Sequence, residues 1–85
     1  MSEVKIGVVT HYFGKIGVAA VLVTDGELAV GDTVHIKGHT SDFSQPVDSM
    51  QMEHESIDRA RAGDEVAIRV VQYTREHDTV YKVVD

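Results

Sequence analysis

The chain has 85 residues, 8 Lys+Arg against 14 Asp+Glu, a formal net charge of −6, no cysteine and one proline. That length is one domain with one core and little room for a deep cavity. The missing cysteines exclude a disulfide framework, a thiolate nucleophile and a cysteine-based zinc site. No apolar run approaches the roughly 18 residues of a membrane span. The start, Met1-Ser2-Glu3-Val4-Lys5, lacks the basic-then-apolar pattern of a signal peptide. The expectation is a cytoplasmic protein with no membrane partner. The acidic balance argues against a phosphate-driven nucleic-acid binder. It is uneven, however: residues 1–40 carry four acids and three bases, residues 41–85 ten acids and five bases. An anionic partner should therefore meet the first half of the chain.

Short alternations and β-branched residues predict strands throughout. Val4, Ile6 and Val8 alternate with Lys5, Gly7 and Val9 in a first strand that ends near Phe13. After turn chemistry at Gly14-Lys15-Ile16-Gly17, the run Ile16 to Thr24 is almost wholly apolar, which suits a strand buried on both faces or tightly curved. Asp25-Gly26 marks another turn. In Thr33 to Lys37, Val34 and Ile36 face inward and His35 and Lys37 outward. Gly38 to Gln45 reads as a polar loop containing Phe43. Pro46 opens or kinks the next strand at an edge. Val47 is out of phase with Met50 and Met52, and a bulge near Asp48-Ser49 reconciles them. Ser56 to Ala62 is the one stretch that could hold a helical turn. Val66 to Val70 and Val80 to Val84 complete six strands. Six short strands separated by regular turns predict an all-β domain, and the need to hide edges favours closure into a barrel. Val34, Ile36, Met50, Met52, Val66 and Ile68 are its expected core.

Val30-Gly31-Asp32-Thr33-Val34-His35-Ile36-Lys37 matches Ala62-Gly63-Asp64-Glu65-Val66-Ala67-Ile68-Arg69. In both copies Gly can take positive φ and the Asp carboxylate can accept a nearby backbone N–H, so each is a device for entering a strand.

The ordered series from Gly14-Lys15-Ile16-Gly17 through Val30-Gly31-Asp32-Thr33-Val34, then Val47, Met50, Met52, Ile57 and Arg61-Ala62-Gly63-Asp64, resembles the second, β-barrel domain of translational GTPases such as elongation factor Tu. It is also similar to the barrels of bacterial initiation factor two. The resemblance covers roughly residues 14–72 and implies one six-stranded Greek-key β-barrel spanning residues 1–85. In those factors the domain helps bind the aminoacyl end of tRNA and touches ribosomal RNA, and similar barrels accompany some peptidases. No G-x-x-x-x-G-K-[ST] phosphate loop exists in the chain, so GTP is not a ligand. The chain thus looks like a stand-alone version of the barrel.

No nucleophile, metal or cofactor constellation stands out. The serines lie in polar segments outside any strand-turn-helix elbow. His35 and His39 are four apart on a strand and turn rather than on a helix. His54 and His77, among acidic neighbours, read as solvated turns. The most informative stretch is His11-Tyr12-Phe13-Gly14-Lys15, where aromatic rings beside a cation suit unpaired bases and phosphate. By strand parity at most one of its two rings belongs in the core. Lys37 and His39 would extend the patch if the first and third predicted strands are neighbours. The expected function is a non-enzymatic binding module related to translation factors, contacting RNA, the ribosome or a protein through His11, Tyr12, Phe13, Lys15, Lys37 and His39. The alternative is an accessory domain that docks on a separate, enzymatic protein.

Overall fold

A computed structural model describes residues 2–84 as strands and turns. In chain order the strands are β1 (Ser2–Phe13), β2 (Val18–Val23), β3 (Glu27–Ala29), β4 (Thr33–Lys37), β5 (Asp42–Pro46), β6 (Met50–Met52), β7 (Glu55–Ile57), β8 (Arg59–Arg61), β9 (Glu65–Arg69) and β10 (Thr79–Val84). The architecture is all-β, consistent with a translation-factor-type barrel. Eight strands form one antiparallel sheet in the order β5-β4-β10-β1-β2-β9-β6-β7. The β3–β8 ladder is a separate pair that contributes Leu28 and Ala60 to the core. Among the described residues, no helix is long and apolar enough to cross a membrane.

The six expected runs correspond to β1, β2, β4, β6, β9 and β10; β3, β5, β7 and β8 are additional. The stretch read as a loop around Phe43 is β5, in which Phe43 and Gln45 are buried, and Val47 just beyond keeps their phase. The break at residues 47–49 resets the alternation before Met50, so no bulge within a strand is needed. Ser56 to Ala62 is not a helical turn but the end of β7 and all of β8. Of the expected core, Val34, Ile36, Met50, Val66 and Ile68 are buried, while Met52 is only partly buried against it.

β1 departs from simple alternation. Ile6 and Val9 are buried, Val8 is half-buried and Val4 is 46% exposed. The register slips by one residue between Lys5 and Gly7 against β10, and again between Val9 and His11 against β2. Two slips cancel, so Tyr12 returns to the face of Ile6 and packs on the core, while Phe13 stays outside. β2 is fully buried on one face only: Ala19, Val21 and Val23 point in, and Val18, Ala20 and Leu22 lie half-buried outside.

A side chain closes the seam between the β5 edge and the end of β9. The Gln45 amide, 6% exposed, donates from Nε2 to the Arg69 carbonyl (2.7 Å) and accepts through Oε1 from the Val71 N–H (2.8 Å). The amide thereby does what a ladder peptide would do where the two backbones do not pair. Gln45→Met keeps the volume and removes both bonds. It is expected to cost about 1–3 kcal/mol in urea titration, the usual penalty for leaving such partners unpaired.

The turns carry the remaining geometry. Gly31 and Gly63 hold φ of 98° and 100°, as their position before an Asp predicts. Glu53 and His54 also hold positive φ, 52° and 67°, because a two-residue hairpin between β6 and β7 requires it. Asn-Gly meets that requirement with less strain. The double substitution Glu53→Asn, His54→Gly is expected to raise stability by about 0.5–1 kcal/mol, read as a higher urea midpoint at unchanged slope.

His35 ties three strands together. Its Nδ1 lies 2.8 Å from Glu3 on β1 and its Nε2 2.5 Å from Asp42 on β5. Carboxylates only accept, so both ring nitrogens must carry protons. The Asp42 hydrogen bond foremost, then that of Glu3, raises the imidazole above its ordinary 6.5. The same hydrogen bond lowers Asp42 below its ordinary 3.8. The His35 share of stability is complete below its unfolded value and is lost as pH rises through the raised one. The Asp42 share is present above its unfolded value and is lost as pH falls through the lowered one. Melting temperature is therefore expected to fall between about pH 6 and pH 9 more steeply in the wild-type chain than in His35→Gln.

Candidate functional site

A closed antiparallel barrel ordinarily turns polar residues to water on its outer face. The outer face of β2 does so less: Val18, Ala20 and Leu22 lie half-buried there, beside Ala67 of β9, which stands between exposed Glu65 and Arg69. Phe13 pairs with Val18, and Val18 with Arg69; Ala20 pairs with Ala67, and Ala67 with Gln51. Beside them lies a shallow groove of about 440 Å³, walled by Phe13, Ile16, Val18 and Ala67, with Ser49, Gln51, His54 and Arg69 at its rim. Phe13 is 45% and Ile16 65% exposed.

The second feature is the long connection from β9 to β10. Val71 and Tyr73 stand 72% and 56% exposed beside the β1–β2 turn, to which the segment is fastened by the Val70 N–H donating to the Gly17 carbonyl (2.9 Å). Tyr73 meets Tyr12 edge to face, ring centroids 5.2 Å apart. Ser41, buried in the β4–β5 turn, donates its hydroxyl to the Tyr73 carbonyl (3.0 Å). Thr74 is fully buried, and its Oγ1 has no hydrogen-bond partner among the described residues. His11 lies 3.5 Å from Glu76.

The six residues singled out from sequence fall at one end of the barrel without forming one patch. His11 and Phe13 share the outer face of β1, rings 4.4 Å apart. His11 and Tyr12 line a groove of about 490 Å³ together with Tyr73, Arg75 and His77. His39 lines an adjoining groove of about 380 Å³ with Gly38, Arg75, Glu76 and His77. Lys15 and Lys37 line neither. The first and third predicted strands, whose adjacency was the condition for Lys37 and His39 to extend the patch, are not neighbours, because β10 lies between β1 and β4. Lys37 instead faces Asp42 across the β4–β5 ladder. Among the described residues no three His, Asp or Glu side chains converge as metal ligands. At His35 the two carboxylates approach opposite nitrogens of the ring.

Sequence reasoning did not single out Arg69, Val71, Tyr73 or Arg75, and read His77 as a solvated turn. One signal was available. Arg75-Glu76-His77-Asp78-Thr79-Val80 is a third copy of the strand-entry turn, with His where the other two have Gly. The geometry repeats. The N–H groups of Ala29, Arg61 and Arg75 donate to the carboxylates of Asp32, Asp64 and Asp78 at 2.8, 3.0 and 2.9 Å. His77 holds φ 76°, matching Gly31 and Gly63. It is therefore a structured turn residue rather than merely a solvated one.

Comparison with known proteins places this geometry in a family. The family model described as elongation factor G domain 2 matches residues 13–83. An uncharacterized protease of Methanocaldococcus jannaschii is 32% identical over 80 residues, covering 93% of this chain and 19% of that protein. A collagenase of Porphyromonas gingivalis is 30% identical over 81 residues, covering 94% of this chain and 20% of that protein. The chain thus spans about a fifth of the length of these relatives. The C-terminal domain of a "putative U32 peptidase" of Geobacillus thermoleovorans superposes with a TM-score of 0.87 at 23% identity, covering 94% of this chain and 92% of that one. With 13–83 matched, the chain belongs to the elongation factor G domain 2 family.

Proposed function

We propose that this domain is a non-enzymatic accessory module that docks on the catalytic part of a U32-type peptidase. The observation that carries the reading is the apolar groove of Phe13, Ile16, Val18 and Ala67 on the outside of the sheet. Exposed aliphatic and aromatic surface of this kind marks protein contact. The occupant is suggested by the relatives: a protease and a collagenase each hold a segment like this chain within a protein about five times longer. RNA or ribosome contact, as in translation factors, draws less support. Ile16 and Val18 offer no stacking surface for a base, and the chain carries a net charge of −6.

The test is a pull-down from native lysate, with and without nuclease, with retained proteins identified by mass spectrometry. A U32-type peptidase should be retained after nuclease, and Phe13→Asp should reduce its recovery about tenfold or more, as expected when a buried aromatic anchor is replaced by a charge. Capture abolished by nuclease would replace this reading with the RNA one. An eluate without any peptidase would overturn the choice of partner.

A further inference from the structure

His35 stands on the outer face of β4, and its side chain is only 17% exposed. Its two carboxylate partners sit on strands that are not neighbours of one another. Glu3 belongs to β1, which is separated from β4 by β10, and Asp42 belongs to β5 at the sheet edge. The groups facing the ring are thus Glu3 from β1, Tyr81 from β10, with ring centroids 6.0 Å apart, and Asp42 from β5. Lys37 stands opposite Asp42 across the β4–β5 ladder, and Lys5 opposite Tyr81 across the β1–β10 ladder.

The two strands held by this clamp are not equally secured. β5 pairs with β4 along all five of its residues, and its Phe43 and Gln45 are buried. The start of β1 has less. Ser2 to Lys5 pair with β10 on one side, whereas the β2 ladder on the other begins only at Gly7. All four residues are exposed, and the register slip between Lys5 and Gly7 sets them off from the rest of the strand. A neutral imidazole carries one N–H and cannot donate to two carboxylates. Asp42 would still have Lys37 opposite, whereas Glu3 faces Val83. We infer that His35 is a proton-held latch on the start of β1. Doubly protonated, it holds Ser2–Lys5 down on β10; loss of one proton releases Glu3 and lets that arm lift while β5 stays in place. The Asp42 hydrogen bond raises the imidazole more than that of Glu3 does, in keeping with Glu3 as the weaker tie. Both bonds move the release to more alkaline pH than a free imidazole would give. The latch adds a local opening to the global loss of stability and does not rest on the docking reading.

The test is amide exchange with water, followed by NMR on the full chain at about pH 6.0 and about pH 8.5, with and without low urea. Rates are divided by the intrinsic rate at each pH. Protection of the β1–β10 ladder amides within Ser2–Lys5 and Lys82–Val84 should fall about three- to tenfold at the higher pH, tenfold corresponding to one pKa unit. Low urea should leave those rates unchanged, because a lifting arm exposes little surface, whereas the Val21 and Val66 amides should quicken. Glu3→Gln supplies an amide that can accept from a protonated ring nitrogen or donate to a bare one. It should therefore remove the extra loss of protection at high pH. An α-amino group ordinarily titrates in the same window but is common to both proteins, so the difference between them reads the latch. The inference is overturned if the wild-type chain and Glu3→Gln lose arm protection equally, if arm exchange quickens with urea as the core amides do, or if β5 amides lose protection before the arm.

Discussion

A carboxylate oxygen accepting the backbone N–H three residues upstream is the interaction on which the layout of this barrel depends. It occurs at Asp32, Asp64 and Asp78, each time with a backbone bond from the Asp N–H back to residue 29, 61 or 75. Each turn delivers the chain into β4, β9 or β10 in the same phase, so Val34, Val66 and Val80, two residues beyond the Asp, all arrive in the core. Side chains alternate with period two, so a turn one residue shorter would send each of those strands' apolar residues to water. The three strands touch β5, β1, β2 and β6. Register across most of the sheet is thereby fixed by three local hydrogen-bonded turns.

This explains what could be read from the residues alone. Strands entered through Gly-Asp and carrying clean alternation, β4 and β9, were legible, as was the positive φ of both glycines. β5 was not, because its inward positions are Phe43, Gln45 and Val47. A glutamine in the middle reads as polar loop until the Arg69 carbonyl and Val71 N–H that it satisfies are in view. β3, β7 and β8 hold three residues each, too few for a period to show. The two slips of β1 depend on what β2 and β10 present, which no local pattern records. The pairing of β10 between β1 and β4 is likewise non-local, so the condition under which Lys37 and His39 would extend the His11–Lys15 stretch is not met. The aromatic stretch itself was sound: Tyr12 packs on the core and Phe13 faces out beside His11. The third turn escaped notice because His77 replaced the glycine by which the other two were found.

The residue types that fill the outer face divide the molecule. Over β4 and β5 they are Thr33, His35, Lys37, Asp42 and Ser44, with His35 bridging two carboxylates. There the Glu3 and Asp42 carboxylates are answered by the His35 ring. Over β2 the outward positions are Val18, Ala20 and Leu22, and over β9 Ala67 stands between exposed Glu65 and Arg69. The barrel interior does not require them to be apolar, since Ala19, Val21, Val23, Val66 and Ile68 already fill it. β4–β5 shows that the same sheet tolerates polar residues at equivalent outward positions. The apolar strip of β2 and Ala67 is therefore not a demand of the fold, and the docking proposed above would bury it against a second surface.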